Sequence, residues 1–222
     1  MGVIITKYGA VLLRAMGQTL LLALLGLFFA CIIGMIFGMM SVIKNKPCNV
    51  IALIFVDGIR GVPMIVLAYF IYFGIPYLLN NTFKMGMTLS ALQAGTICLA
   101  LNCGAYMAEI IRAGIQAVDV GQMEAARSLG LPYWKSMRRV VLPQAIRMMI
   151  PSIINQFIIT LKDTSILSVI GFPELVNRAK GVVANTFMSF QTWAIVAVMY
   201  LIVILALSRC AKVLEKRLNH DR

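Results

Sequence analysis

Ionisable and amide side chains are scarce in this chain, and the few that interrupt its apolar stretches carry most of the chemical information. Asp163 follows Lys162 and precedes Thr164 and Ser165 in an otherwise uncharged stretch. A carboxylate at that depth can hold an α-ammonium or a cationic side chain, and two hydroxyls can hold an amide or a carboxylate. The alternative is an outer-leaflet helix break with Lys162 and Asp163 paired at the interface. Asn102 and Tyr106 are i, i+4 and share a helix face, which suits a pocket lining or one interhelical hydrogen bond equally well. Asp57 with Arg60, and Glu109 with Arg112, are each spaced i, i+3. They read either as polar lining near a cytoplasmic gate or as structural ion pairs at span ends. Such groups bind solutes; none of them makes a catalytic set. The only histidine is His220, in the polar tail, and the five cysteines contain no CxxC. Neither a catalytic residue nor a metal site is therefore expected.

The elements that must position these residues follow from composition. Of 222 residues, 61% are hydrophobic and only 13% charged, with a mean hydropathy of +0.91. Soluble domains are about 45–50% apolar and about 25% charged. An ordinary soluble enzyme, a disordered chain and a secreted disulfide scaffold are thereby excluded. An all-α integral membrane protein is expected, as a single domain over 1–222. Apolar runs mark five spans, at about 15–43, 50–79, 85–111, 147–170 and 181–209, with Asp57 and Arg60 interrupting the second. The first run is too long for a signal-peptide core. The fourth is split by Lys162-Asp163, so a broken helix is expected there.

The net charge is +12. The positives flank the apolar runs, which is the pattern of membrane topology and not of a nucleic-acid face. Lys44, Lys46, the basic residues between spans three and four, and the basic tail fall on one side. Lys7, Arg14, Lys84, Lys162, Arg178 and Lys180 fall on the other. The richer side is cytoplasmic, so the N-terminus is expected outside and the C-terminus inside. Five spans without an internal repeat make a poor alternating-access machine alone, so a second copy or a related partner is expected.

The segment between spans three and four, residues 112–146, contains DVGQMEAARSLGLPYWKSMRRVVLP. Asp119 and Gln122 fit a capping box, and Glu124 sits near the positive end of the helix that follows. Ala125 and Ala126 favour helix with little bulk. Gly130 can stop the helix left-handed, and Pro132 can open the next one. A short helix, a sharp turn and a second basic helix ending at Pro143 are expected. Its small-residue face can enter a groove on another protein, or it can be a plain positive-inside surface helix.

Glu124-Ala125-Ala126, Gly130, Val140 and Leu142-Pro143 resemble the E-A-A-x-x-x-G signature of permease subunits of bacterial ABC importers, with Val140 where isoleucine is commonest. Arg60-Gly61-Val62-Pro63 resembles the R-G-T-P of the amino-acid branch. Asn102 to Glu109 resembles its N-x-x-A-Y-x-A-E, and Leu161 to Ser165 its L-K-D-T-S. The resemblance covers nearly the whole chain and is closest to the glutamine type.

The resemblance implies a permease of the type I importer class in the bacterial cytoplasmic membrane. It implies a second permease chain, two ATPase subunits on the cytoplasmic face, and a periplasmic or lipid-anchored amino-acid-binding protein. Glu124, Ala125, Ala126, Gly130, Leu142 and Pro143 would form the coupling segment. Asp163, Thr164, Ser165, Asn102 and Tyr106 would line the substrate pathway. The sequence holds no phosphate loop, so ATP and Mg belong to the ATPase and no cofactor is expected here. Glutamine leads as substrate, with arginine, histidine and cystine open. The alternatives are an ion-coupled transporter or channel that needs no ATPase, and an intramembrane enzyme, for which a His-based or serine-based constellation is lacking.

Overall fold

A computed structural model describes residues 2–43 and 45–219, with side chains to Val213. Lys44 and His220, and the side chains of Lys216, Arg217 and Arg222, lie outside the described residues. The described chain is helical, with no strand among its residues. Five helices are long and apolar enough to cross a membrane.

Helix α1 spans Gly2–Met40, 39 residues, or about 58 Å at 1.5 Å per residue. The hydrocarbon layer is roughly 30 Å, so α1 overshoots it or tilts strongly. The helix begins well before the uncharged run because Lys7 and Arg14 mark a depth limit and not a helix boundary.

The second apolar stretch is not one helix. Helix α2 covers Lys46–Arg60, and α3 covers Met64–Phe83 with a π-helical turn at Phe70–Gly74. Between them stand Gly61, Val62 and Pro63. The Gly61 N–H donates to Asp57 O at 2.8 Å and closes α2. Pro63 has no N–H and pushes Val62 out of the helical region, so the helix restarts only at Met64. Phe37 of α1 stacks on Phe55 of α2, with ring centroids 3.9 Å apart.

Helix α4, Ala91–Gln116, is the central one. Ser90 caps it: its Oγ accepts from Gln93 N, while Gln93 Oε1 accepts from Ser90 N. The α1–α4 contact is built on glycine. A Cβ on Gly34 would stand 2.5 Å from Met107 Cβ, and one on Gly38 2.8 Å from Ile111 Cβ. Lipid tails are as apolar as leucine, so close backbone approach and dispersion hold such pairs together.

Helix α5, Val120–Ser128, is short. Helix α6 then runs Tyr133–Ile170 without a gap. It contains a π-helical turn at Met137–Val141, an α-helical stretch at Leu142–Asp163 and a 3₁₀ stretch at Thr164–Ile170. The second basic helix therefore does not end at Pro143. The π turn ahead of it absorbs the missing N–H, and the helix continues. Nor does the chain break at Lys162-Asp163; it tightens from α to 3₁₀ and ends at Gly171, φ 81°.

Helix α7 spans Leu175–Thr186, and α8 spans Ser189–Asn219. The fifth uncharged run thus crosses a turn, where Phe187 adopts φ 56°. Hydropathy is blind to a turn made without charge, glycine or proline. Only 6% of the most apolar window of α8 is buried within the chain, against 67% for α4. Helix α8 therefore presents nearly all of its apolar surface to whatever surrounds the chain.

Candidate functional site

The α2–α3 break opens onto a cavity of about 510 Å³. Arg60, Gly61, Val62, Pro63 and Met64 come from the break, Asn102 and Tyr106 from α4, and Gln156, Ile159 and Asp163 from α6. The α6 residues are spaced i, i+3, i+7, so one helix face supplies them. Asn102 and Gln156 are buried, at 7% and 6% exposure. Asn102 Nδ2 lies 3.8 Å from Met64 Sδ, a weak acceptor, which leaves the amide free for a better partner.

Charge in the cavity is balanced. Asp163 carries the negative end and Arg60 the positive one. The Arg60 guanidinium sits 5.1 Å from the centroid of the Tyr106 ring. Its Nη1 lies 3.7 Å from Glu109 Oε2. Arg112 holds the same carboxylate more tightly, through Nε at 3.0 Å and through Nη2 on the second oxygen. The Glu109–Arg112 pair is thus present. Among the described residues no ion pair joins Asp57 to Arg60, because the end of α2 turns Arg60 toward α4.

Thr164 and Ser165 do not line this cavity. Thr164 Oγ1 donates to Leu161 O and Ser165 Oγ to Lys162 O, each at 2.7 Å. Both hydroxyls are turned back onto the helix that tightens there. The break that bears on the site lies at 61–63, and Asp163 reaches it from a continuous helix.

The segment between α4 and α6 forms a helix, a turn and a helix. Asp119 Oδ1 accepts from Gly121 N at 2.7 Å. Gln122 does not complete the capping box; its Oε1 accepts from Gln144 Nε2 at 3.2 Å instead. Gly130 has φ 83°. Gly130 N donates to Arg127 O at 2.9 Å, and Leu131 N to Ala126 O at 3.2 Å. This paired arrangement is the Schellman motif, which uses the last free carbonyls of a helix. Ala126 packs inward at 4% exposure, while Glu124 and Ala125 face out beside Val120 and Leu129. Leu142 is half-buried and Pro143 exposed.

Two residues escaped the sequence reading. Gln156 was visible only as an amide in an apolar run. Glu174 is fully buried at the start of α7. Its Oε2 accepts from Val176 N at 2.8 Å and its Oε1 from Asn177 N at 2.6 Å. Tyr200 of α8 donates to Oε2 at 3.3 Å. Burial pushes the Glu174 carboxyl above its ordinary value, and the two backbone N–H groups and Tyr200 pull it back. Glutamate is an uncommon helix cap, so the sequence carried little signal.

The family described as "binding-protein-dependent transport system inner membrane component" matches residues 30–220. The glutamine transport system permease protein GlnP of Escherichia coli strain K12 is 36% identical over 208 residues, which is 94% of this chain and 93% of that protein. The probable glutamine ABC transporter permease protein GlnM of Bacillus subtilis strain 168 is 38% identical over 202 residues, covering 91% and 90%. A crystal structure of an amino acid ABC transporter with histidines superposes at a TM-score of 0.88 with 37% identity, over 97% of each chain. An inward-facing MetNI methionine ABC transporter shares the fold at a TM-score of 0.77 and 18% identity, over 95% of this chain and 97% of that one. By its sequence and its helical fold, this chain belongs to the family of inner membrane components of binding-protein-dependent transport systems.

Proposed function

We propose that this chain is the permease subunit of an ATP-driven importer of a neutral polar amino acid, with glutamine as the leading substrate. The observation that carries the substrate class is the cavity at the α2–α3 break, which pairs one guanidinium, Arg60, with one carboxylate, Asp163. A zwitterion meets both ends: its ammonium faces Asp163, and its carboxylate faces Arg60 and the N-terminus of α3. The amides of Asn102 and Gln156 suit a side-chain amide. A net-charged solute would leave one wall unmatched. The identity to two glutamine permeases over nine-tenths of the chain supports the same substrate.

Residues 119–143 form the coupling segment in this reading. Glu124 and Ala125 enter a groove on an ATPase subunit, while Ala126 packs inward and seats the helix, Gly130 makes the turn, and Leu142 and Pro143 back it. The exposed outer face of α5 and the fixed Schellman turn support it, because force passes only through a rigid element. That face is cytoplasmic, the N-terminus lies outside, and the C-terminus lies inside. The working assembly contains a second permease chain, two ATPase subunits and an amino-acid-binding protein. ATP binding draws the coupling segments together and opens the cavity outward; hydrolysis returns it inward.

The experiment is uptake of labelled glutamine by cells that depend on this importer, with arginine, histidine, cystine and glutamate as competitors. Competition by glutamine far above the charged amino acids is expected. Stronger competition by arginine or glutamate would contradict the neutral-zwitterion reading.

A further inference from the structure

A second cavity, of about 370 Å³, lies between α2 and α4 on the other side of Arg60. We propose that it is a second station for the transported amino acid, and that Arg60, which borders both cavities, passes the substrate's carboxylate from one to the other. This rests on the reading of the first cavity as the substrate pathway. Arg60 stands at the last turn of α2, so the second cavity lies along α2 toward the side proposed above as cytoplasmic.

Its chemistry fits the same solute. Asp57 and Glu109 supply two carboxylates, and Arg60 and Arg112 supply two guanidiniums. The wall is amphoteric and formally neutral, as the first cavity is. A volume of this size falls in the range of about 300–1,000 Å³ usual for small-molecule sites. A self-satisfied ion-pair network would need no such space.

Asn49 adds an amide to the same wall. It lines the second cavity, and its Oδ1 is buried with no hydrogen-bond partner among the described residues. Buried acceptors are almost always paired.

The two arginines divide the work. Arg112 grips Glu109 through two hydrogen bonds. Arg60 touches that carboxylate only at 3.7 Å and leans on Tyr106. Arg60 can therefore leave Glu109 without stranding it. It also adjoins the 61–63 break, where α2 has ended and α3 has not yet begun. In the observed state Arg60 lies between the cavities and is held to the second. Release from Glu109 frees it to take the carboxylate in the first.

The test uses the whole importer, purified with its ATPase subunits, and reads equilibrium glutamine binding in detergent and uptake into lipid vesicles. Asn49→Leu alters only the second cavity. It should slow uptake about tenfold, with the ATPase still assembled. Wild-type uptake in Asn49→Leu overturns the proposal. Glu109→Gln loosens the hold on Arg60. Glutamine should then bind several-fold tighter, while 4-aminobutanamide, which lacks the carboxylate, binds as it does to wild type. An equal shift for both ligands, or none for either, overturns the role of Arg60, and this comparison decides even if Asn49→Leu fails to assemble. Asp163→Asn serves as the control on the pathway itself: unchanged binding and uptake there removes the first station, a result separate from anything seen at Asn49.

Discussion

Thr19 and Leu175, 156 positions apart in sequence, are joined by a hydrogen bond of 3.1 Å from the Leu175 N–H to Thr19 Oγ1. The Thr19 hydroxyl in turn donates a hydrogen bond to Ala15 O at 3.0 Å. One buried side chain thus ties the start of α7 to the middle of α1. Thr19→Val keeps the shape and removes the acceptor, leaving a buried N–H unpaired. A loss of about 1–3 kcal/mol is expected. Thermal unfolding of the purified chain in detergent reads it; an unchanged midpoint would show that the N–H finds another partner.

Glu174 makes a pH prediction. Its carboxyl is raised above the ordinary 4.5 by burial, so the fold binds its proton more tightly than the unfolded chain does. The stability it contributes is present below 4.5 and is lost as pH rises through the raised value. The groups facing it are Tyr200 and, from its own helix, Lys180 and the N–H groups of Val176 and Asn177. Thermal midpoints should therefore fall as pH rises out of the ordinary carboxylate range. In Glu174→Gln that slope should flatten, whatever the constant cost of the altered cap. The same slope in both proteins would assign the titration to another group.

Gly130→Val tests the turn of the coupling segment. A Cβ there meets nothing within 4 Å, so crowding is not the issue. The issue is φ 83°, which costs an L-residue about 1–2 kcal/mol and a β-branched one more. The variant should insert and still reach the membrane, yet hydrolyse ATP without matching uptake. Full uptake would show that this turn can relax without consequence.

Gln156→Leu tests the amide on α6. It is close to isosteric and leaves the helix intact. The expected result is weaker glutamine binding by about one to two orders of magnitude, from one lost hydrogen bond in a buried site. Equal affinity in the variant would remove Gln156 from the pathway.

Much of this fold was legible because apolar periodicity and charge register depth. The five candidate spans and the helix–turn–helix near Glu124 followed from that. The α2–α3 break was written in Gly61-Val62-Pro63, yet the charge at Lys162-Asp163 drew attention as the more obvious interruption. A charged pair is tolerated by a continuous helix; a glycine and a proline two residues apart are not. Phe187 shows the reverse case, a turn with no sequence mark. For the site, Asp163, Asn102 and Tyr106 were legible as polar residues on apolar helices. Arg60 was visible too, but its partner was not. Spacing along one helix suggested Asp57, and only packing of α2 against α4 brings Glu109 within 3.7 Å. Gln156 and Asn49 needed cavities to give them meaning.

The most direct measurement is ATP-driven glutamine uptake by the importer purified through a tag on this chain and placed in vesicles with its binding protein. Wild type and Asp163→Ala should be compared. The account expects an ATPase to copurify in stoichiometric amount, glutamine to accumulate only with ATP, and Asp163→Ala to lose most uptake while keeping the ATPase. A chain that purifies without an ATPase, or that accumulates glutamine equally well without ATP or without Asp163, would contradict it.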